Sequence, residues 1–322
     1  MRARRTAPLM LFVALLAALA VFAQVSIQPR PVPHKTAYPP APKATLRVDS
    51  NLVLVPVSVT DPNNRPVTGL EPEHFKIFDD HVEQTITHFA MDDEPVSVGL
   101  VFDISGSMGP KIRLSRLAAS AFFQTANPDD EFSLVEFNDQ VKLVTPLTQD
   151  FDEIQNQLTF AQSKGRTALL DAIVMGLNET KRSKKNRKAL LIISDGGDNS
   201  SRYSEGEVRS MVRESDVLVY AIGIFEPWGS RSRTPEEAAG PGLLNDLAEQ
   251  SGGRHYPADA NELPDIAAKI GMELRNRYVL GYSPKAEMRD GRYHRVEVKL
   301  NPPRGLPKLT AHWRQGYFAA SQ

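Results

Sequence analysis

Val96-Ser97-Val98-Gly99-Leu100-Val101-Phe102-Asp103-Ile104-Ser105-Gly106-Ser107-Met108-Gly109 is the stretch on which the reading of this chain turns. Residues 96–102 form a nearly unbroken apolar run, as expected for a strand in a sheet covered on both faces. At its carboxyl end the run gives way to Asp103, Ser105 and Ser107, with Gly106 and Gly109 letting the backbone turn tightly. In open parallel sheets ligands bind beyond the carboxyl ends of strands. This loop is therefore a candidate site.

Working outward, residues 112–125 carry apolar side chains at helical spacing: Ile112, Leu114, Leu117, Ala118, Ala121 and Phe122. Residues 132–137 and 141–144 read as a strand pair joined through Asn138-Asp139. Buried strands are expected at 189–194 and 217–224, and helices at 151–158, 169–180, 205–214, 243–251 and 263–276. Strands alternating with helices across 95–276 predict an α/β domain, Rossmann-like, with a mostly parallel sheet and helices on both faces. The stretch 226–242, rich in Pro, Gly, Ser and Arg, reads as a loop interrupting that pattern.

On either side the text becomes purely β. Val53, Val55, Val57 and Val59 share one face of a strand over 52–60, in which Pro56 argues for a sheet edge. Shorter strands are expected at 75–78 and 85–89, with Asp79-Asp80 as a turn between them. After Asn276, strands are expected at 278–282, 293–300 and 308–312. Each piece has too few strands to be stable alone. The expectation is that 46–94 and 277–322 pack together as a small β-sandwich, with the α/β domain inserted between them.

The first 45 residues belong to neither. Arg2, Arg4 and Arg5 precede an apolar run over 9–22, and Ala23 follows: the build of a secretion signal over 1–23. That run is shorter than the ~20 residues of a membrane-spanning helix, and the alternative to a cleaved signal is an uncleaved membrane anchor. Residues 24–45 are Pro-rich and read as an extended linker. The chain contains no Cys, which excludes lipid anchoring through cysteine and any reliance on disulfides. The expected location is outside the cytoplasm, periplasmic or extracellular, with no stable membrane span once the signal is removed.

A hydrophobic content of 41% in 322 residues allows a sizeable core. Lys and Arg (38) balance Asp and Glu (39), which gives no electrostatic reason to expect nucleic-acid binding. Charge is informative only where it clusters. The basic run 181–188 is such a cluster, read as a solvated loop between a helix and a strand.

Two further loops join the first. Thr167 stands in Gly165-Arg166-Thr167 just before a helix, and Asp195 ends the strand 189–194, followed by Gly196-Gly197. Ser and Asp before a helix also serve as caps, so Asp-x-Ser-x-Ser alone is weak. Together, Asp103, Ser105, Ser107, Thr167 and Asp195 supply two carboxylates and three hydroxyls from one edge of the sheet. Hard oxygens in this number suit Mg²⁺, with Mn²⁺ or Ca²⁺ as substitutes, and the absence of His and Cys disfavours zinc there.

These five residues resemble, in order and context, the metal-ion-dependent adhesion site of von Willebrand factor A domains. The resemblance implies that Ser105, Ser107 and Thr167 bind the ion directly and that Asp103 and Asp195 act through water. An ion with few direct carboxylates stays electrophilic, so an acidic group of a protein partner would complete its shell. Residues 96–103, 247–254 and 277–284, and the closing Gly316-Tyr317-Phe318, are similar to VWFA-related proteins of the acidobacterial type, in which β-rich segments flank the A domain. Arg166 departs from the usual neutral residue; it either holds an incoming carboxylate or points to solvent. Asp198 is either a support for the ion site or a turn residue.

An enzyme reading lacks parts. There is no Gly-x-Ser-x-Gly elbow and no phosphate-cradling Gly-rich loop, and all seven His lie outside the three loops. The expectation is a non-enzymatic binding module. The alternatives are a Mg²⁺-dependent hydrolase using Asp195 as base, or a structural envelope protein with a stabilising metal.

Overall fold

Strand and helix alternate through the middle of the chain and strands alone occupy its ends. The computed structural model describes residues 52–92, 94–224, 235–259, 261–284 and 290–319. The expected signal, the Pro-rich linker, residues 46–51 and most of the stretch 226–242 lie outside the described residues. Four strands come first: β1 (Val53–Thr60), β2 (Phe75–Asp79), β3 (Val82–Gln84) and β4 (His88–Asp92). The alternating part runs β5 (Val96–Asp103), α1 (Ile112–Phe123), β6 (Glu131–Phe137), β7 (Val141–Thr148), α2 (Phe151–Phe160), α3 (Leu169–Lys181) and β8 (Arg187–Ser194). It continues with α4 (Glu205–Glu214), β9 (Val217–Ile224), α5 (Pro235–Ser251), β10 (His255–Ala258) and α6 (Leu263–Arg275). The strands β11 (Arg277–Tyr282), β12 (Tyr293–Leu300), β13 (Thr310–Trp313) and β14 (Gly316–Phe318) close the series.

The central sheet has the order β10-β9-β8-β5-β6-β7, parallel throughout except for the antiparallel β6–β7 pair. All eight residues of β5 are buried, which explains why its sequence does not alternate. Val98, Leu100 and Phe102 join one apolar layer with α1 and α6, and Val101 joins the opposite layer with α3, α4 and α5. Each such side chain contributes roughly 1.5–3 kcal/mol by leaving water. Helix α3 crosses β5 at two glycines. A Cβ on Gly99 would lie 2.4 Å from Thr180 Oγ1, and one on Gly176 would lie 2.8 Å from Val101 Cγ2.

Three expectations are corrected here. Helix α5 starts at Pro235, so 235–242 is helix rather than loop, and Pro241 lies inside it. Docking of Leu243, Leu244 and Leu247 on the sheet outweighs the local cost of one lost backbone bond at Pro241. Residues 85–87 do not form a strand; β3 and β4 lie on either side of them. Strand β1 is interior, between β13 and β11, not at an edge. Its overlap with β13 begins at Val57, so the N–H that Pro56 lacks is not needed for that ladder.

The flanking strands form two antiparallel sheets, β13-β1-β11-β4 and β14-β12-β2-β3, each mixing strands from both ends of the chain. Val55, Val57, Val59, Phe75, Ile77, Tyr278, Leu280, Tyr282, Val296 and Val298 fill the space between them. Neither end could bury these faces alone, because β1 finds both of its partners more than two hundred residues away.

One carboxylate joins this sandwich to the α/β domain. Glu273, on α6, is fully buried. It accepts from Ser58 Oγ at 2.7 Å, Tyr220 OH at 3.0 Å, Tyr256 OH at 2.9 Å and Arg254 at 3.0 Å. Burial would raise its pKa, but Arg254 and the Ser58 and Tyr256 hydroxyls outweigh that and hold it below the usual Glu value. Removing one partner of a buried pair strands the other. Glu273→Ala should therefore cost about 3–5 kcal/mol in a denaturant titration. The stability that ionised Glu273 contributes is present at neutral pH and is lost as pH falls through its depressed folded value. The gap between the unaltered protein and Glu273→Gln should narrow accordingly in acid.

Candidate metal centre

Strands β5 and β8 are paired neighbours in the sheet, so Asp103 and Ser194-Asp195 emerge side by side at its carboxyl edge. Asp103 is fully buried, and both of its oxygens are engaged. Oδ1 accepts from Ser105 N at 2.8 Å, and Oδ2 accepts from Ser194 Oγ at 2.6 Å. Ser194 Oγ also accepts from Gly196 N at 3.0 Å, which fixes the start of the Asp195 loop. Gly196 turns that loop with a positive φ of 81°. The helix α5 passes so closely there that a Cβ on Gly240 would lie 2.4 Å from Gly196 O.

The first loop leaves β5 through one short 3₁₀ turn, Gly106–Met108. It brings Ser105 Oγ within 3.1 Å of Ser107 Oγ. The second loop is laced to it by backbone bonds: Lys164 N donates to Ile104 O at 2.8 Å and Gly106 N donates to Gly165 O at 3.1 Å. Thr167 is held from the third loop, its N donating to Asn199 Oδ1 and its O accepting from Asn199 N, both at 3.0 Å. Ala168 N donates to Asn138 O at 2.7 Å, adding the β6–β7 turn to the same framework.

Four of the five site residues are buried: Asp103 (0% exposed), Ser105 (1%), Thr167 (5%) and Asp195 (5%). They are set into the sheet edge rather than on surface loops. A substitution there disturbs packing as well as chemistry. Asp103→Ala, for example, would leave the Ser194 hydroxyl and the Ser105 N–H without an acceptor.

The electrostatics are those of crowded anions. Burial, and then the neighbouring charge of Asp195, push the Asp103 pKa up to about 7. Lys111, itself buried, places Nζ 3.2 Å from Asp195 Oδ2. One ammonium is thus paired with Asp195, in a site whose two carboxylates and two adjacent hydroxyls are all hard oxygen donors. This donor set fits a hard divalent cation, which would offset the remaining negative charge.

Sequence reading missed several residues that build this site. Lys111 looked like an ordinary residue at a helix start, and Ser194 like the last residue of a buried strand. Asn138 and Asn199 act through loop–loop bonds that no local pattern announces. Asp198 accepts from Leu170 N at 3.3 Å and so caps α3. The exposed Arg166 donates through its guanidinium to the carbonyl of Asn199 and clips two of the loops together.

In the presence of a chelator, Lys111→Met should lower the melting temperature by on the order of 5 °C or more, because it leaves Asp195 buried without its counter-ion. A scanning calorimetry trace superimposable on that of the unaltered protein would show that the pair contributes nothing to the fold.

Comparison with known proteins follows the same outline. Residues 98–197 match the family described as von Willebrand factor type A domain. The chain is 25% identical over 169 residues to an uncharacterized protein of Synechocystis sp., covering 50% of this chain and 40% of that one. It is 32% identical over 103 residues to inter-alpha-trypsin inhibitor heavy chain H4 of Bos taurus, covering 30% of this chain and 11% of that one. The solved von Willebrand factor type A structure from Catenulispora acidiphila covers 84% of this chain, with 74% of its own length matched, at 13% identity and a TM-score of 0.49. The chain thus spans less than half the length of the Synechocystis protein and a smaller share of the bovine one. Its α/β portion has the von Willebrand factor type A fold, with residues 98–197 matching that family, in a chain that adds antiparallel sheets built from the segments on either side.

Proposed function

We propose that this protein is a metal-dependent binding module: Ser105, Ser107 and Thr167 hold Mg²⁺, Asp103 and Asp195 support it, and the ion captures an acidic group of a protein partner. The observation that carries this reading is the buried pair Asp103 and Asp195 beside two hydroxyl oxygens 3.1 Å apart, at the carboxyl edge of a parallel sheet. Bound there, the ion supplies Lewis acidity toward a carboxylate.

The residues of the chain divide the work. Both Asp103 oxygens already accept protein hydrogen bonds, which suits support through water better than direct ligation. The Ser105 and Ser107 hydroxyls present lone pairs on one side of a loop fixed by Gly165 and Lys164. Lys111 holds Asp195 in place and limits the negative charge of the site, so that an arriving carboxylate is not repelled. Mn²⁺ or Ca²⁺ could occupy the same oxygens. Among the described residues no helix is long and apolar enough to cross a membrane, and we place the protein outside the cytoplasm on the strength of its first 23 residues.

The test combines metal binding with partner capture. Calorimetric titration with Mg²⁺ should show one site, weakened roughly tenfold or more in Thr167→Ala. Envelope extract passed over the immobilised full chain should yield a partner in Mg²⁺ that is released by EDTA, recovered on adding Mg²⁺, and absent with Thr167→Ala. A partner retained equally in EDTA and by Thr167→Ala would put the working surface elsewhere on the molecule.

A further inference from the structure

The β-sandwich carries a second cluster of ligand atoms, outside the sheet-edge loops. Strand β2 ends at Asp79, and a two-residue turn, Asp80-His81, leads into β3. Both turn residues have positive φ, 43° and 70°, the sign expected of a tight primed hairpin. Strand β12 lies beside β2, with Val296 opposite Asp79, and brings His294 to the same end of the sheet. Asp79 is fully buried and the His294 side chain is only 7% exposed.

Each of the three side chains has one polar atom committed to the protein and one aimed at a common point. Asp79 Oδ2 accepts from Tyr282 OH and Tyr317 OH, both at 2.9 Å, while Asp79 Oδ1 is buried with no hydrogen-bond partner. Asp80 Oδ1 accepts from Arg295 N at 2.9 Å, and Asp80 Oδ2 lies toward the imidazole. His294 Nε2 lies 3.0 Å from Asp290 Oδ1, which fixes the ring; with the proton on that nitrogen, Nδ1 offers a lone pair. His294 Nδ1 then faces Asp80 Oδ2 at 2.9 Å and Asp79 Oδ1 at 3.4 Å, yet it is buried and aligned for a hydrogen bond with neither.

Convergence without alignment is what ligands around an ion show. Adjacent ligands of a cation bound at about 2.1 Å stand roughly 2.9–3.5 Å apart, and the two distances from Nδ1 fall in that interval. A carboxylate on the far nitrogen of a metal-bound imidazole is a recurrent device for orienting the ring, and Asp290 occupies that place. The two tyrosine hydroxyls orient Asp79 in the same way. Three carboxylates around one imidazole also leave an excess of negative charge even when the ring is protonated.

We propose that Asp79 Oδ1, Asp80 Oδ2 and His294 Nδ1 form a metal site for a first-row divalent transition ion of the Zn²⁺ type. One imidazole nitrogen with two carboxylate oxygens favours such an ion over Mg²⁺, and three protein ligands leave a fourth position for water. The site joins the β2–β3 turn, from the N-terminal segment, to β12, from the C-terminal one. It would therefore clamp the two halves of the sandwich.

The experiment is a calorimetric titration of the full chain with Zn²⁺ near neutral pH, in the Thr167→Ala background so that the sheet-edge site is weakened. Thr167→Ala should bind one Zn²⁺, and His294→Gln or Asp80→Asn added to it should weaken that binding roughly tenfold or more. Asp80 is half exposed, so Asp80→Asn keeps the test open if His294→Gln fails to fold. Co²⁺ in place of Zn²⁺ should give a visible ligand-field band in Thr167→Ala that is lost on adding His294→Gln. Zn²⁺ binding unchanged by both substitutions, or no Zn²⁺ uptake by Thr167→Ala, overturns the proposal. Neither result bears on capture of a partner through Mg²⁺, so the two sites are tested independently.

Discussion

The buried carboxylate of Glu273 is the contact on which the arrangement of this molecule depends. It sits on α6 of the α/β domain and takes hydrogen bonds from Ser58 in the sandwich and from Tyr220, Tyr256 and Arg254 in the central domain. An isolated charge at such a position would be strongly unfavourable, so the surrounding donors must all be present at once. Arg254 extends the network by donating to Asn64 Oδ1 at 2.6 Å, and Arg277 reaches the Pro56 carbonyl at 3.1 Å. Contacts so directional fix one orientation, whereas apolar packing alone would tolerate several. The α/β domain thereby interrupts the sandwich in sequence without loosening it in space.

From that junction the consequences run in two directions. Helix α6 packs on α1, and α1 follows the loop that carries Ser105 and Ser107. The sheet-edge site therefore rests on elements anchored at the opposite end of the domain. Toward the sandwich, β11 continues directly from α6 and places Tyr278, Leu280 and Tyr282 in the second core. Tyr282 then holds Asp79, the buried carboxylate of the second cluster. Loops at the carboxyl edge can carry costly buried charge because a rigid sheet positions every backbone group around them.

Both polar clusters follow one physical rule. A buried carboxylate is oriented by hydroxyl donors on one oxygen, and a cationic or ring group faces the other side of the cluster. At the sheet edge the donor is Ser194 and the cation is Lys111; in the sandwich the donors are tyrosines and the ring is that of His294. The difference in donor chemistry, hydroxyl oxygens in one and an imidazole nitrogen in the other, separates the kinds of ion proposed for each.

The α/β fold was legible in the sequence because burial on both faces writes continuous apolar runs, as in β5 and β8, and helices write a different period between them. The five candidate residues at the sheet edge were picked out for a related reason: they stand at strand ends or helix starts, and each has a glycine within three residues. Short elements were not legible. Strand β10 is four residues long and β3 three, too few for a period to show. Pro56 and Pro241 spoke for an edge and a loop, and tertiary packing overruled both. Lys111, Ser194, Asn199 and His294 carried no signal, since each matters through a partner distant in sequence or on another element. Sequence by itself determined the periods and the glycine-marked loops, because those depend on neighbours a few residues away. Only the tertiary structure decided which buried charges meet, because that depends on where α6, β11 and β12 bring residues the chain keeps apart.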